Sequence, residues 1–252
     1  MTLPKSSVRS RTGAGLRLSG KVALITGSSR GIGLALAQAL AAEGCTLVLT
    51  SRKLSSLQTA GREATRLGAR VLLKSCDVRE SSSVKELAAA VRKNFRHVDI
   101  LINNAGISQP QIPVDKTPFK LWKDVLDTNL TGTFLVTQAM LPLMRSGATI
   151  VNNLSVAAAR VFPNSAAYNA SKHGALGFTG TLREELRPRR IRVIAFLPGA
   201  TDTEIWNTYW PGAPRRNMMS AQTVAQALVS ALVLPEKSTV EELTILPTAG
   251  AL

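Results

Sequence analysis

Short apolar runs alternate with helical stretches along this chain from residue 22 almost to its end, and that alternation restricts the fold more than any other feature. VALIT (22–26) precedes the helical pattern GLALAQALAAEG, TLVLTS (46–51) precedes LSSLQTAGREATRLG, and RVLLKS precedes SSVKELAAAVRKNF. The glycine closing the second of these stretches is a common helix stop. DILINNAG, TIVNNLS, IRVIAFLPG and ELTIL supply further strands, and AQTVAQALVSALVL a further helix. Strands that are apolar at every residue are buried on both faces. With helices between them, they run parallel and are joined by right-handed crossovers. The expected fold is α/β: a Rossmann-like doubly wound parallel sheet of about seven strands with helices on both faces. We expect a single domain over residues 20–252, with residues 1–19 as a basic, disordered tail.

That tail contains no apolar run of the kind a secretory signal needs; its arginines and serines without acids leave an organelle transit peptide as the alternative to plain disorder. Across the chain 31 basic residues face 16 acidic ones, a net charge of +15 that would attract polyanions. The excess is dispersed, however. Lys5, Arg9, Arg11 and Arg17 lie near the start, and Arg183, Arg187, Arg189, Arg190 and Arg192 surround a helix end, where cations complement the helix dipole. With no nucleic-acid motif or aromatic platform among them, they read as solvated surface, and no nucleic-acid partner is expected. Cys45 and Cys76 are too few for a disulfide framework and lack metal-ligand spacing. No apolar stretch is long enough to span a membrane. A reducing, cytoplasmic setting without a metal fits these features best.

The first strand runs into TGSSRGIG, which puts Gly27, Gly31 and Gly33 in the turn before the first helix. Glycines there let a backbone approach a pyrophosphate at a helix N-terminus, although a tight strand-to-helix connection uses them too. Farther on, Tyr168 and Lys172 stand four residues apart in AAYNASKHGAL, so on a helix they share a face. His173 points about 100° away around such a helix and is given no chemistry.

With TGSSRGIG, NNAG (103–106), DTNL (127–130), Leu154-Ser155, YNASK (168–172) and PGATDT (198–203) in this order, the chain resembles the short-chain dehydrogenase/reductase family, in its carbonyl-reducing branch. The resemblance covers roughly residues 20–232. It implies a nicotinamide cofactor held by the turn residues Gly27, Ser28, Ser29, Arg30, Gly31, Ile32 and Gly33. Asp77 and Val78 would meet the adenine, with Asn104, Ala105 and Gly106 under its ribose. Lys172 and Tyr168 would lie beside the nicotinamide, together with Pro198, Gly199, Thr201 and Thr203. It further implies that Tyr168 gives and takes the proton, that Ser155 bonds the substrate oxygen, that Lys172 tunes Tyr168, and that Asn129 positions a water passing protons to Lys172. A free phenol has a pKa of ~10, and the nearby ammonium and a positive nicotinamide are expected to lower it.

The second strand ends in Ser51, Arg52 and Lys53, without the acid that bonds the ribose of NAD. Arg52 and Arg30 can instead bond a 2′-phosphate, so NADP(H) is expected over NAD(H). Residues about 200–220 should form a lid, in which Trp206, Tyr209 and Trp210, with Met218 and Met219, either enclose an apolar or ring-bearing carbonyl compound or pack the lid onto the body. Arg215 and Arg216 read as solvated, with an anionic substrate or acidic carrier protein as the alternative. The implied activity is hydride transfer between NADP(H) and a small carbonyl or alcohol. The alternatives are a 3-oxoacyl thioester reductase and a protein that senses NADP(H) without turnover. The family usually assembles as homodimers or homotetramers, but the ending EELTILPTAGAL lacks the glycine-rich pattern common among relatives and leaves the tetramer open.

Overall fold

A computed structural model describes residues 16–250. Seven strands, β1 (Val22–Thr26), β2 (Thr46–Ser51), β3 (Val71–Ser75), β4 (Ile100–Asn103), β5 (Thr149–Asn153), β6 (Arg192–Pro198) and, after two short lid strands β7 (Thr201–Asp202) and β8 (Met219–Ser220), β9 (Glu242–Ile245), form one sheet. Its order is β3-β2-β1-β4-β5-β6-β9, and every pairing is parallel. The helices are α1 (Gly31–Ala42), α2 (Gln58–Arg66), α3 (Ser81–Phe95), α4 (Phe119–Leu126), α5 (Gly132–Met140), α6 (Ala166–Leu186), α7 (Trp206–Tyr209) and α8 (Ala221–Leu232).

Side chains along each central strand alternate between two cores, which is why the strands read as unbroken apolar runs. Ala23, Ile25, Leu47, Leu49 and Ile102 pack with α1, α2 and α8 on one face. Val22, Leu24, Val48 and Leu101 pack with α3, α5 and α6 on the other. Strand order reverses between β1 and β4, and in such sheets a crevice opens beyond the strand ends at that point.

Three features depart from the sequence reading. Residues 1–15 of the expected tail lie outside the described residues, but 16–19 form a turn in which Leu18 is buried in the core and Arg17 Nε donates to Glu43 at 3.0 Å. Helices α4 and α5 were not anticipated. They are joined by a π-helical turn, Asp127–Thr131, and polar Asn129, Thr133 and Thr137 are buried where an apolar period would be sought. Finally, of the arginines near the end of α6, Arg187, Arg189 and Arg190 are exposed as expected, but all except Arg190 are also tied down by side-chain bonds. Arg189 donates to the Leu141 and Met144 carbonyls, Arg192 to those of Leu232 and Leu234, and Arg183 to Val193 and Glu241. Arg187 pairs with Glu184 and Glu241.

Candidate active site

The crevice at the strand ends is a cleft of about 570 Å³ running from the glycine turn to the lid. At the turn, Gly27 adopts a φ of 63°, a left-handed backbone that favours glycine. A Cβ on Gly33 would lie 2.3 Å from the Gly27 carbonyl oxygen and 2.5 Å from Asn104 Nδ2, so the first turn of α1 can press against β1 and β4 only without a side chain there. Asn104 locks this floor. Its Nδ2 donates to the Thr26 and Gly27 carbonyls at 2.9 and 3.0 Å, and its Oδ1 accepts from Asn153 Nδ2 at 2.8 Å.

Nearly all of the expected nucleotide residues line this cleft: Gly27, Ser29 to Gly33, Ser51, Arg52, Asp77, Val78 and Asn104 to Gly106. Ser28 does not. Its side chain is fully buried and exchanges hydrogen bonds with the Thr50 backbone, so it ties the turn to β2 and faces away from the cleft. Arg30 and Arg52 are exposed at the cleft wall, and neither guanidinium forms a hydrogen bond or ion pair with another described residue. Asp77 is already engaged. Arg79 grips its carboxylate from two nitrogens, at 3.0 and 2.7 Å, and holds it below the usual carboxylate range.

At the other end, Ser155 leaves β5 in an extended conformation and accepts the Ala157 N–H at 3.1 Å. It also lies beside Tyr168, which sits in the first turn of α6, close enough to favour the ionised phenol. One turn later Lys172 Nζ donates to the Asn153 carbonyl at 3.3 Å and lies 5.6 Å from the centre of the Tyr168 ring. Contrary to expectation, the phenol is not lowered in the chain by itself: burial pushes Tyr168 up to about 12, against the opposing pull of Ser155. The same burial pulls Lys172 down to about 8. In both groups desolvation of the charged form is the largest cause. His173 is exposed and bonds only the Asn169 carbonyl one turn back.

Asn129 is buried in the π-helical turn and is held on every side. Its Oδ1 accepts the Ile107 N–H at 2.9 Å, while its Nδ2 donates to the Ile107 carbonyl at 2.9 Å and to Ser171 Oγ at 3.0 Å. It therefore clamps the loop after β4 to α6. A Cβ on Gly106 would stand 3.3 Å from Asn129 Oδ1 and 3.7 Å from Lys172 Nζ, so both side chains reach the Cβ face of that glycine. Sequence reasoning missed Asn153, whose carbonyl seats Lys172, and Gln109, a fully buried glutamine whose Oε1 accepts the Tyr168 N–H at 3.0 Å. For Asn153 the signal was its place two residues before Ser155; a lone loop glutamine carries none.

The residues expected to form a lid lie at the other end of the cleft. Pro198, Gly199, Thr201 and Thr203 line the cleft, as do Trp206 and Tyr209, with Phe162 and Ile205 beside them. The Trp206 and Tyr209 rings meet edge to face at 5.5 Å, and Tyr209 tilts over Tyr168 at 6.4 Å. Trp210, just past the end of α7, is not among the residues lining the cleft; its ring lies 6.5 Å from that of Trp206, the packing alternative. Met218 and Met219 pack inward, Met219 in the main core. Arg215 is a clasp rather than a solvated cation, donating at 2.7 Å to Asp202 Oδ1, to the Thr203 carbonyl and to Asn207 Oδ1.

Comparison with known proteins matches residues 21–213 to the family model described as short chain dehydrogenase. An uncharacterized oxidoreductase of Staphylococcus epidermidis is 34% identical over 229 residues, 90% of this chain and 97% of that one. A putative ketoacyl reductase of Streptomyces coelicolor is 38% identical over 73% of this chain and 71% of its own length. Among solved structures, an alcohol dehydrogenase from the archaeon Thermococcus sibiricus, complexed with 5-hydroxy-NADP, superposes with a TM-score of 0.85 at 29% identity, over 92% of this chain and 98% of that one. Among the described residues no helix is long and apolar enough to cross a membrane.

Proposed function

The chain belongs to the short-chain dehydrogenase family of oxidoreductases, and from that premise we propose that it transfers hydride between NADP(H) and a neutral, apolar or ring-bearing carbonyl compound or its alcohol, with Tyr168 as proton donor and acceptor. One observation carries the reading: Ser155, Tyr168 and Lys172 line the same cleft as the glycine turn and the arginines Arg30 and Arg52.

The cleft fits a dinucleotide phosphate. The Gly27–Gly33 turn leaves no room for a side chain at Gly33 and presents backbone to the cleft, while Arg30 and Arg52 stand where β2 offers no carboxylate. The turn would hold the pyrophosphate, the two arginines the 2′-phosphate, and Lys172 and Thr203 the nicotinamide side. When bound, the cofactor supplies the hydride. The chain supplies the rest. Tyr168 keeps its proton at neutral pH, as any phenol does and the more firmly for its burial, so its hydroxyl donates to the carbonyl oxygen as charge grows there. Ser155 donates a second hydrogen bond to the same oxygen. Lys172, seated on the Asn153 carbonyl, faces the phenolate as it forms and stabilises it. Trp206, Tyr209, Phe162 and Ile205 exclude water from this end.

Likeness to the Streptomyces putative ketoacyl reductase favours a second reading, a 3-oxoacyl thioester as substrate. Both are tested by following NADPH absorbance against a panel of ring ketones, linear ketones and 3-oxoacyl thioesters, alongside Tyr168→Phe. Turnover of a ring ketone that disappears in Tyr168→Phe is the expected result. Turnover confined to thioesters selects the second reading, and a Tyr168→Phe variant as active as the parent removes the mechanism.

A further inference from the structure

Helix α6, which carries Tyr168 and Lys172, does not use the cap its own sequence offers. Ser165 stands at the N-cap, where a serine hydroxyl ordinarily accepts one of the first free N–H groups, yet it makes no such bond. Its single hydroxyl proton is shared instead between the Pro163 carbonyl at 3.3 Å and the Tyr209 hydroxyl at 3.2 Å. The N–H of Tyr168 is accepted from elsewhere in the chain, by Gln109 Oε1 at 3.0 Å. The other end of the same amide donates to the Asn164 carbonyl at 3.3 Å. Asn164 leads into the helix with a φ of 61°, and its carbonyl also accepts the Ile112 N–H at 2.8 Å.

A buried amide is costly unless its polar atoms are bonded. Gln109 is fully buried, and both ends of its amide are bonded to the entrance of one helix. The loop that carries it is itself fixed two residues earlier, where Asn129 clamps the Ile107 backbone through both its N–H and its C=O. A chain of hydrogen bonds thus runs from the π-helical turn through the loop after β4 to the backbone of Tyr168.

We infer that Gln109 is a positioning residue for the proton-transfer step: it fixes the Tyr168 backbone, and so the reach of its hydroxyl, against the cleft floor. The inference rests on the reading of Tyr168 as proton donor. By taking over the cap, Gln109 also leaves Ser165 free to hold the lid residue Tyr209, so the start of one helix serves the proton donor and the lid together.

Three substitutions test it, assayed beside Tyr168→Phe with NADPH and a carbonyl compound that the parent turns over. Gln109→Leu removes both hydrogen bonds, and a misplacement of ~1 Å near a reacting group costs up to ~100-fold. We therefore expect kcat to fall ~10- to 100-fold while KM for NADPH and for the carbonyl compound stay within about twofold. Gln109→Glu keeps an oxygen at the same reach for the Tyr168 N–H and should restore most of kcat. Gln109→Asn keeps the amide but is one methylene short, and should behave like Gln109→Leu. Parent-like kcat in Gln109→Leu or Gln109→Asn overturns the inference. So does a loss of kcat matched by an equal loss of NADPH affinity, which would mark a role in folding alone. If Gln109→Leu does not fold, the order of the other two decides: Asn above Glu overturns the inference. Should Tyr168→Phe turn over as the parent does, the fault lies in the reading of Tyr168. Should Tyr168→Phe be inactive while the Gln109 variants match the parent, it lies in this inference alone.

Discussion

The two ends of the cleft are built by opposite means. The nucleotide end is made of backbone: a glycine turn pressed against β1 and β4, with Asn104 bonded to two main-chain carbonyls beneath it. The substrate end is made of side chains that hold one another: Gln109 on Tyr168, Ser165 on Tyr209, Tyr209 against Trp206, and Arg215 across the lid. A backbone site has no tolerance for a Cβ and no adjustable part. A side-chain site can lose one contact and re-form, so variation there should change which substrate is taken before it abolishes binding.

The sharpest way to break this contrast is Gly33→Ala. Its new Cβ would collide with the Gly27 carbonyl oxygen at 2.3 Å, and backbone cannot swing aside. Overpacking of this kind costs up to ~3 kcal/mol, so NADPH affinity should fall ~100-fold, with a lower melting temperature. Unchanged affinity by fluorescence titration would mean that the turn is not rigid. Next in size is Arg52→Asp, which acts on a side chain at the rim of the backbone-built end rather than on its backbone floor. Losing a charge-assisted bond and adding a repulsive carboxylate should weaken NADPH ~30-fold and leave NADH within about twofold. Equal weakening of both would detach Arg52 from the 2′-phosphate.

The same division separates what was legible in the sequence from what was not. Two-sided burial of β1, β2 and β4 writes unbroken apolar runs, and a turn without room for a Cβ writes glycine, so the sheet and Gly33 could both be read. Tyr168 and Lys172 could be read because one helical turn sets their spacing. The bonds of the substrate end join residues far apart in the chain, 59 residues for Gln109 to Tyr168 and 44 for Ser165 to Tyr209, and follow no period. Helices α4 and α5 were hidden by the buried polar residues of the π-helical turn between them. Ser28 was assigned to the cleft because a serine in a glycine turn looks the same whether it faces ligand or core, and here it faces Thr50. Trp210 follows Tyr209 in sequence but lies beyond the end of α7.

Proton chemistry sharpens the comparison at an intermediate size, because the substrate end carries Tyr168 and Lys172, both shifted far by burial. With Lys172 at about 8 against its ordinary 10.5, its ammonium is present below pH 8 and lost above it. The kcat/KM for carbonyl reduction should therefore fall about tenfold between pH 7 and pH 9, as free-enzyme ionisations govern that ratio, and Lys172→Met should be slower but flat over the same range. For folding the sign is the reverse. The unfolded chain binds the lysine proton more tightly between pH 8 and 10.5, so this group destabilises the fold most below pH 8, and its cost is relieved as pH rises through that window. A urea midpoint that gains less with pH in Lys172→Met than in the parent checks the assignment.

The smallest effect belongs to Tyr209→Phe, which tests whether the lid is held by side chains that can re-form. The substitution keeps the ring over Tyr168 and against Trp206 but removes the hydroxyl that accepts from Ser165 at 3.2 Å. Ser165 retains the Pro163 carbonyl at 3.3 Å as a partner, so no donor is orphaned. A net hydrogen bond contributes ~0.5–1.5 kcal/mol, which predicts a rise of ~3-fold in KM for the carbonyl compound. Because the Tyr168 N–H stays capped by Gln109, kcat should not move. A matching drop in kcat would show that the lid bond and the Gln109 bond act as one unit; equal KM values would show that aromatic packing alone seats the lid.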